Sequence, residues 1–182
     1  MHKRYYIDMD GTLVKYDRNA YTGKNPLFLQ PGQHYFLNLE PDRKMLAFVD
    51  KLIKLCRYTG DEVFILTSIP MAGSIFNEHF HDKIIWLAKW LPAIDITHII
   101  ISVTNKRDAA EYINNHKLTK NDILIDDYNK NLNDWINGSG IAYKYSNGIN
   151  NPLSYNGPIL EIKDSVNKAL ESIEIPINLY EI

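Results

Sequence analysis

The stretch Tyr5-Tyr6-Ile7-Asp8-Met9-Asp10-Gly11-Thr12 joins a short apolar run to two carboxylates and a glycine. An apolar run that stops abruptly at a polar residue is typical of a strand buried on both faces of a sheet. Gly11 permits a tight turn immediately after the strand. We therefore predict a strand that ends at Asp8, with the Asp10 carboxylate just beyond the edge of the sheet.

Strand-like and helix-like segments alternate along the rest of the chain. The strand-like runs cover residues 62–66, 98–103, 122–125 and, more weakly, 141–145. Helical spacing of apolar residues predicts a helix between Asp42 as N-cap and Gly60 as terminator, and others over residues 75–91, 107–116 and 165–173. The alternation predicts an α/β fold with a doubly wound, Rossmann-like parallel sheet.

The segment from Lys15 to Pro41 interrupts this alternation. It contains two glycines, two internal prolines and a set of aromatic residues, namely Tyr16, Tyr21, Phe28, Tyr35 and Phe36. A segment this long without regular structure is more often a functional lid than a plain connector. The alternative is a partly ordered surface loop. We expect a small cap over residues 15–60, inserted between the first two strands of a single domain that spans residues 1–182.

Composition limits the partners that the protein can bind by bulk electrostatics. The 182 residues are 45% hydrophobic and 23% charged, and the net charge is −2, which gives no support for binding a nucleic acid polymer or an anionic membrane. A few local cations can still bind a phosphorylated small molecule. Cys56 is the sole cysteine, so an intramolecular disulfide is excluded. With no apparent signal peptide or membrane span, we expect a cytoplasmic protein; a homodimer is left open.

Polar residues follow each of the first four predicted strands. In chain order they are Asp8 and Asp10, then Thr67 and Ser68, then Lys106, then Asp126 and Asp127. In a doubly wound sheet, ligands bind at the carboxyl ends of the strands, near the point where strand order reverses. Carboxylates that cluster there repel one another and favour a bound cation. An all-oxygen ligand set suits Mg²⁺.

These residue types in this order indicate phosphoryl transfer. A carboxylate can attack phosphorus and form an aspartyl-phosphate, and Asp8 is the better nucleophile candidate because it ends the strand. Asp10 is placed to protonate the leaving group and then to activate water. The metal and Lys106 would offset the charge of the phosphate. Each element alone has an ordinary explanation, such as an Asp-Gly turn, a helix cap or a solvated lysine; their order is what favours a site.

The four motifs resemble those of the haloacid dehalogenase (HAD) superfamily. The resemblance extends from the first strand to about Tyr145. It implies a HAD-like core with Asp8 as nucleophile and Asp10 as acid/base. It also implies that Mg²⁺ is bound by Asp8, the main-chain carbonyl of Asp10 and Asp127, with Asp126 in support, and that Thr67, Ser68 and Lys106 bind the phosphate.

Within this superfamily the chain looks most similar to the 5'(3')-deoxyribonucleotidases. Residues 63–68 and 122–127, together with Lys83 and Trp86, carry this closer resemblance. It implies that Lys83 contributes to phosphate binding and that Tyr16 lines the nucleoside pocket. Two departures concern specificity: the stretch between the first two motifs is shorter than in the animal enzymes, and Thr104-Asn105 precedes Lys106 in place of a more charged sequence.

We therefore expect a Mg²⁺-dependent phosphomonoester hydrolase, a 5'-nucleotidase acting on (deoxy)nucleoside monophosphates. One alternative is a phosphatase of another small metabolite, such as a sugar phosphate. Others are a non-enzymatic phosphoacceptor module and a catalytically silent binding domain. A phosphoacceptor module is disfavoured because strand three ends in no carboxylate. His79 and His81 are expected to be exposed helix residues rather than zinc ligands.

Overall fold

The computed structural model describes residues 2–15, 22–71, 73–148, 154–163 and 165–175. Their strands form one six-stranded parallel sheet in the order β3-β2-β1-β4-β5-β6. The strands are β1 Arg4–Ile7, β2 Glu62–Ser68, β3 Ile99–Ser102, β4 Asp122–Asp126, β5 Ile141–Tyr145 and β6 Ile159–Leu160. The predicted fold class is confirmed.

Helices connect the strands and cover both faces of the sheet. They are α1 Arg43–Thr59, α2 Gly73–Trp90, α3 Lys106–Asn114, α4 Asn129–Asn137 and α5 Val166–Ser172. Short 3-10 helices cover Leu27–Leu29, Phe36–Asn38 and Ile96–His98. Asp42 caps α1 by accepting hydrogen bonds from the backbone N–H groups of Lys44 and Met45, and Gly60 ends it in the left-handed conformation, as predicted.

Two elements, α4 and β6, were absent from the sequence prediction. Helix α4 is rich in asparagine and buries two side chains, Leu132 and Trp135, so its apolar stripe is too narrow to stand out. Strand β6 has two residues, which is too short for an alternating pattern to be visible.

Alternation along β1 sends its side chains into two cores. Tyr5 and Ile7 join the core that contains α1 and α5. Tyr6 joins the core on the other face, where it stacks on Phe64 and meets the edge of the Trp135 ring. Because side chains pack against both faces of the sheet, its strands are buried on both sides. This explains why the strands are continuous apolar runs in the sequence.

The order of the strands puts a switch point beside β1. Ile7 pairs with Ile65 of β2 on one side and with Ile125 of β4 on the other. The backbone N–H of Asp8 donates to the carbonyl of Ile125 at 2.9 Å, which continues this pairing to the edge of the sheet. The carboxyl ends of β1 and β4 therefore open side by side, where a doubly wound sheet binds its ligand.

The segment of residues 22–41, called the α2 strap below, packs along helix α2. Glu78 accepts hydrogen bonds from the backbone N–H groups of Gly32 and His34 at 2.6 and 2.9 Å. The indole N–H of Trp86 donates to the carbonyl of Leu39 at 2.8 Å. Helix α2 therefore supplies both polar and apolar contacts to the strap.

One histidine of α2 differs from the prediction. His79 is buried, and the Phe36 ring meets it edge-on at 4.7 Å between centroids, so the expectation that His79 is exposed was wrong. The strap covers this face of α2, which helical spacing alone does not reveal. His81 is exposed as expected.

The cap over residues 15–60 stays a prediction as a unit. Within that range α1 packs into the core and is therefore part of the main domain. The α2 strap is the remaining segment to which the predicted lid could correspond. Tyr16 and Tyr21 lie outside the described residues. No helix among the described residues is long and apolar enough to cross a membrane.

Candidate active site

An open pocket of about 530 Å³ lies at the carboxyl ends of β1 and β4. Its lining includes most of the polar residues predicted from the sequence. The lining residues are Asp8, Asp10, Phe28, Ser68, Ile69, Pro70, Lys106, Asp126, Asp127, Tyr128 and Asn131. Segments that are far apart in the chain thus converge here as expected.

Lys106 links the carboxyl ends of the two central strands, β1 and β4. It is the first residue of α3, whose N-cap is Asn105. Its Nζ donates to Oδ1 of Asp8 and, at 2.6 Å, to Oδ2 of Asp126. Burial alone would lower the pKa of Lys106, but the Asp126 and Asp8 carboxylates outweigh it and raise that pKa above its ordinary value. Lys106 is therefore a buried positive charge that lines the pocket.

Asp8, Asp126 and Asp127 form a buried acidic cluster. One carboxylate oxygen from each lies within 4.8 Å of the others. Burial raises the pKa of Asp8 well above its ordinary value; Lys106 opposes this, and the neighbouring carboxylates add to it. Because these carboxylates are buried, water screens the repulsion between them only weakly. A divalent cation bound among them would relieve that repulsion. Three oxygen donors at this spacing fit the hard ligand set of Mg²⁺.

Asp126 and Asp127 are oriented by different partners. Asp126 accepts from the backbone N–H of Tyr128 at 2.7 Å and from the side-chain amide of Asn131 at 2.9 Å. Together with Lys106 these donors occupy both oxygens of Asp126. Its supporting role at a metal stays a prediction.

Asp127 is joined to the turn after β1. The amide of Asn147 donates to Oδ2 of Asp127 at 2.7 Å and to the carbonyl of Gly11 at 2.9 Å. The buried Lys144 donates to the carbonyl of Asp127 at 2.7 Å. Sequence reasoning missed Asn131, Asn147 and Lys144. The sequence did contain signals for two of them: Lys144 lies inside the apolar run of β5, and Asn147 is a polar residue shortly after that strand.

Gly11 brings this turn close to Asp127. Its φ is +84°, and a Cβ atom at this position would clash with the Asp127 carboxylate. The predicted glycine is therefore required both for its backbone conformation and for the space it leaves.

Asp10 is paired with a second lysine, Lys83 of α2. Nζ of Lys83 donates to Oδ2 of Asp10, to Oγ1 of Thr67 at 2.6 Å and to the carbonyl of Ser68 at 3.1 Å. Burial lowers the pKa of Lys83, and the Asp10 carboxylate opposes that change. Thr67 and Lys83 are fully buried, whereas Ser68 lines the pocket. The predicted phosphate ligand Lys83 thus joins the site but contacts Asp10.

Comparison with known proteins bears on the fold. Neither protein-family models nor curated proteins match the sequence. Solved structures do: a HAD hydrolase of family IA, variant 3, from Entamoeba histolytica has a TM-score of 0.59 at 11% identity, covering 96% of this chain and 100% of its own. The chain has the HAD-like fold.

Two further structures with this fold are phosphatases by their descriptions. A predicted phosphatase from Clostridium acetobutylicum has a TM-score of 0.61 at 13% identity, covering 94% of this chain and 99% of its own. A D,D-heptose 1,7-bisphosphate phosphatase from B. bronchiseptica, complexed with magnesium and phosphate, has a TM-score of 0.58 at 11% identity, covering 94% of this chain and 97% of its own. The deoxyribonucleotidase resemblance stays a prediction.

Proposed function

We propose that this HAD-like protein is a Mg²⁺-dependent phosphomonoester hydrolase. The observation that carries the proposal is the convergence of Asp8, Lys106 and Asp127 with Asp10 in one pocket at the switch point of the sheet. The likeness in fold to phosphatases supports the same reaction class.

In the first half-reaction, a carboxylate oxygen of Asp8 attacks phosphorus and the bond from phosphorus to the ester oxygen breaks. Asp10 gives a proton to that departing oxygen, which leaves as an alcohol. Lys106 lies against Asp8 and neutralises charge on the transferring oxygens. Ser68, which lines the pocket, and backbone N–H groups after Asp8 hold the phosphate. The product on the protein is an aspartyl-phosphate.

In the second half-reaction, Asp10 takes a proton from water as the water oxygen attacks phosphorus. The bond from phosphorus to Asp8 breaks, inorganic phosphate leaves, and the Asp8 carboxylate is restored. A Mg²⁺ ion held by Asp8, the carbonyl of Asp10 and Asp127 would supply the positive charge that lets a phosphate dianion approach a carboxylate. Asn147 and Lys144 keep Asp127 in place for this task.

For the substrate we propose a (deoxy)nucleoside 5'-monophosphate. The same pocket is also lined by apolar and aromatic side chains, with Phe28 and Tyr128 contributing rings and Ile69 and Pro70 contributing aliphatic groups. Tyr128 is 52% exposed, so its ring is accessible to a ligand. Stacking of a base on an aromatic ring is worth about 1–3 kcal/mol in single-strand binders. Tyr16 is proposed to add to this pocket.

A sugar phosphate is the second candidate, because one protein with this fold is described as a heptose bisphosphate phosphatase. A panel of 5'- and 3'-nucleotides, sugar phosphates and p-nitrophenyl phosphate, each assayed with Mg²⁺ and with a chelator, separates the two. We expect Mg²⁺-dependent hydrolysis with 5'-nucleotides preferred. Equal kcat/KM on nucleotides and sugar phosphates would count against a nucleoside pocket.

The contribution of the two aromatic rings to nucleotide binding can be tested separately. Replacing Phe28 or Tyr128 by leucine should lower kcat/KM for nucleotides while leaving that for p-nitrophenyl phosphate nearly unchanged, because the small aryl ester does not reach both rings. Accumulation of a stable phosphorylated Asp8 without turnover would favour the phosphoacceptor or binding-module alternatives instead.

A further inference from the structure

Lys83 is an ammonium group with no surface exposed to solvent. A lysine has three N–H donors, and the acceptors in hydrogen-bond contact with this one are Asp10, Thr67 and the carbonyl of Ser68. All of its donors are therefore directed to residues of the site. A lysine that binds phosphate would instead have to direct a donor into the open pocket, which Lys106 borders and Lys83 does not.

The two oxygens of Asp10 differ in their surroundings. Oδ2 accepts from Lys83 and from Oγ1 of Thr67, the latter at 3.4 Å. Oδ1 is buried and has no hydrogen-bond partner among the described residues. A buried acceptor without a partner is costly and uncommon. Lys83 and Thr67 thus fix the orientation of the carboxylate through Oδ2, while the Asp10 side chain, which is 22% exposed, still lines the pocket.

We propose that Lys83 is a positioning residue for Asp10 and not a phosphate ligand. This inference rests on the proposed function, in which Asp10 is the acid and base. Lys83 holds Oδ2 and so keeps the Asp10 carboxyl group in one orientation, from which it passes its proton to the ester oxygen as the bond from that oxygen to phosphorus breaks. It also balances the charge of the carboxylate that remains, which then accepts a proton from water.

The α2 strap holds Lys83 in this orientation. The Phe36 ring centroid lies 4.2 Å from Nζ of Lys83, a distance at which a ring face attracts a cation. Phe36 is itself buried, so it separates the ammonium from solvent on that side. Water then cannot compete for the donors that Asp10 receives, and the carboxylate stays in one orientation.

The two roles for Lys83 predict different dependence on the leaving group. A residue that orients a general acid matters for an alkyl ester, whose alkoxide needs a proton, and matters little for p-nitrophenyl phosphate, whose phenolate leaves without one. A phosphate ligand matters equally for both. The constant to compare is kcat/KM, since it reports only the steps up to departure of the leaving group.

The test is Lys83→Met, a substitution of similar length that keeps the buried site filled. We expect kcat/KM to fall by at least ~10²-fold for an alkyl phosphate or a 5'-nucleotide, the lower end of what a positioned general acid contributes. The loss for p-nitrophenyl phosphate should be much smaller. Affinity for inorganic phosphate in the presence of Mg²⁺, measured by calorimetry, should be unchanged.

The matched control is Lys144→Met, which also replaces a buried lysine near the site. Lys144 contacts the carbonyl of Asp127 and not Asp10, so its loss should lower kcat/KM equally for both kinds of ester. If circular dichroism shows that Lys83→Met is misfolded, Lys83→Gln retains a donor and should show the same bias towards alkyl esters in weaker form.

Equal losses on the two esters in the Lys83 variant, or a large loss of phosphate affinity, would overturn the positioning role while leaving the proposed function standing. A wild-type protein that hydrolyses no ester would overturn the proposed function and this inference with it. The wild-type assay therefore distinguishes the two failures.

Discussion

Asp8 and Asp10 are two residues apart and have different lysine partners. Asp8 is buried against Lys106, and Asp10 meets Lys83 just beyond the end of the strand. An attacking carboxylate gains from a rigid position, whereas an acid that later becomes a base must exchange protons with the substrate and with water. The two environments therefore support the roles that we propose for Asp8 as nucleophile and Asp10 as acid and base.

Replacing either aspartate by asparagine should abolish turnover without unfolding the protein. Asparagine is nearly isosteric, but it neither attacks phosphorus nor transfers the proton. We expect Asp8→Asn and Asp10→Asn each to lower kcat by at least ~10³-fold, with unchanged circular dichroism. Near-normal kcat in either variant would refute the role assigned to that residue.

Gly11→Ala should damage the site because the fold leaves no room for a side chain at this position. The added Cβ atom would clash with the Asp127 carboxylate, and φ of +84° is unfavourable for alanine. We expect weaker Mg²⁺ binding in calorimetry together with a loss of activity. Gly23→Ala is the matched control, because its φ is +93° and nothing lies within 4 Å of the new atom. It should lower stability by about 1 kcal/mol and leave Mg²⁺ affinity intact.

At the scale of elements, the sequence predicted what strong local patterns encode. Strands β1, β2 and β4 are apolar runs that stop at polar residues, so both their positions and the convergence of their ends could be inferred. The contact of Asn147 with Gly11 joins residues 136 apart in the chain and depends on how β5 packs, which no local pattern contains. The direction of Lys83 depends likewise on the packing of α2 and the strap.

The strap is held to α2 partly by an ion pair that responds to pH. Nδ1 of His34 lies 2.9 Å from Oδ1 of Asp82, and this contact raises the pKa of His34. Glu78, which accepts from the His34 backbone, adds to that effect. Since the folded pKa is the higher one, the stabilisation is fully present below the ordinary histidine pKa of about 6.5 and is lost as pH rises through the raised value.

We therefore expect His34→Gln to lower Tm at mildly acidic pH and to have little effect at alkaline pH. The Tm difference from wild type, measured across this range, should shrink steadily as pH rises. Asp82→Asn removes the negative partner of the same ion pair. The difference in Tm between this variant and the wild type should therefore also decrease as pH rises. A difference that stays constant with pH would rule out the charged pair as the cause.

At the scale of the whole molecule, the order of the sheet decides where the charges gather. With β1 between β2 and β4, the acidic residues of the first and fourth motifs meet, and their repulsion opposes folding. A cation that binds only the folded protein would offset this cost.

Mg²⁺ should therefore raise thermal stability. At ~100 times its dissociation constant a ligand adds about 2.7 kcal/mol, which corresponds to a rise in Tm of roughly 5–10 °C for a chain of this size. We expect this shift in differential scanning fluorimetry and a much smaller one for Asp127→Asn. An equal shift in that variant, or with a monovalent salt of matched ionic strength, would exclude the acidic cluster as the binding site.

The ion pair of Lys106 with Asp8 spans 98 residues of chain, and this separation has a consequence for folding kinetics. Contacts between distant residues close large loops and form late. On refolding from denaturant, helical signal should return before the ability to hydrolyse esters, and the interval between them should measure how long the sheet takes to assemble around β1.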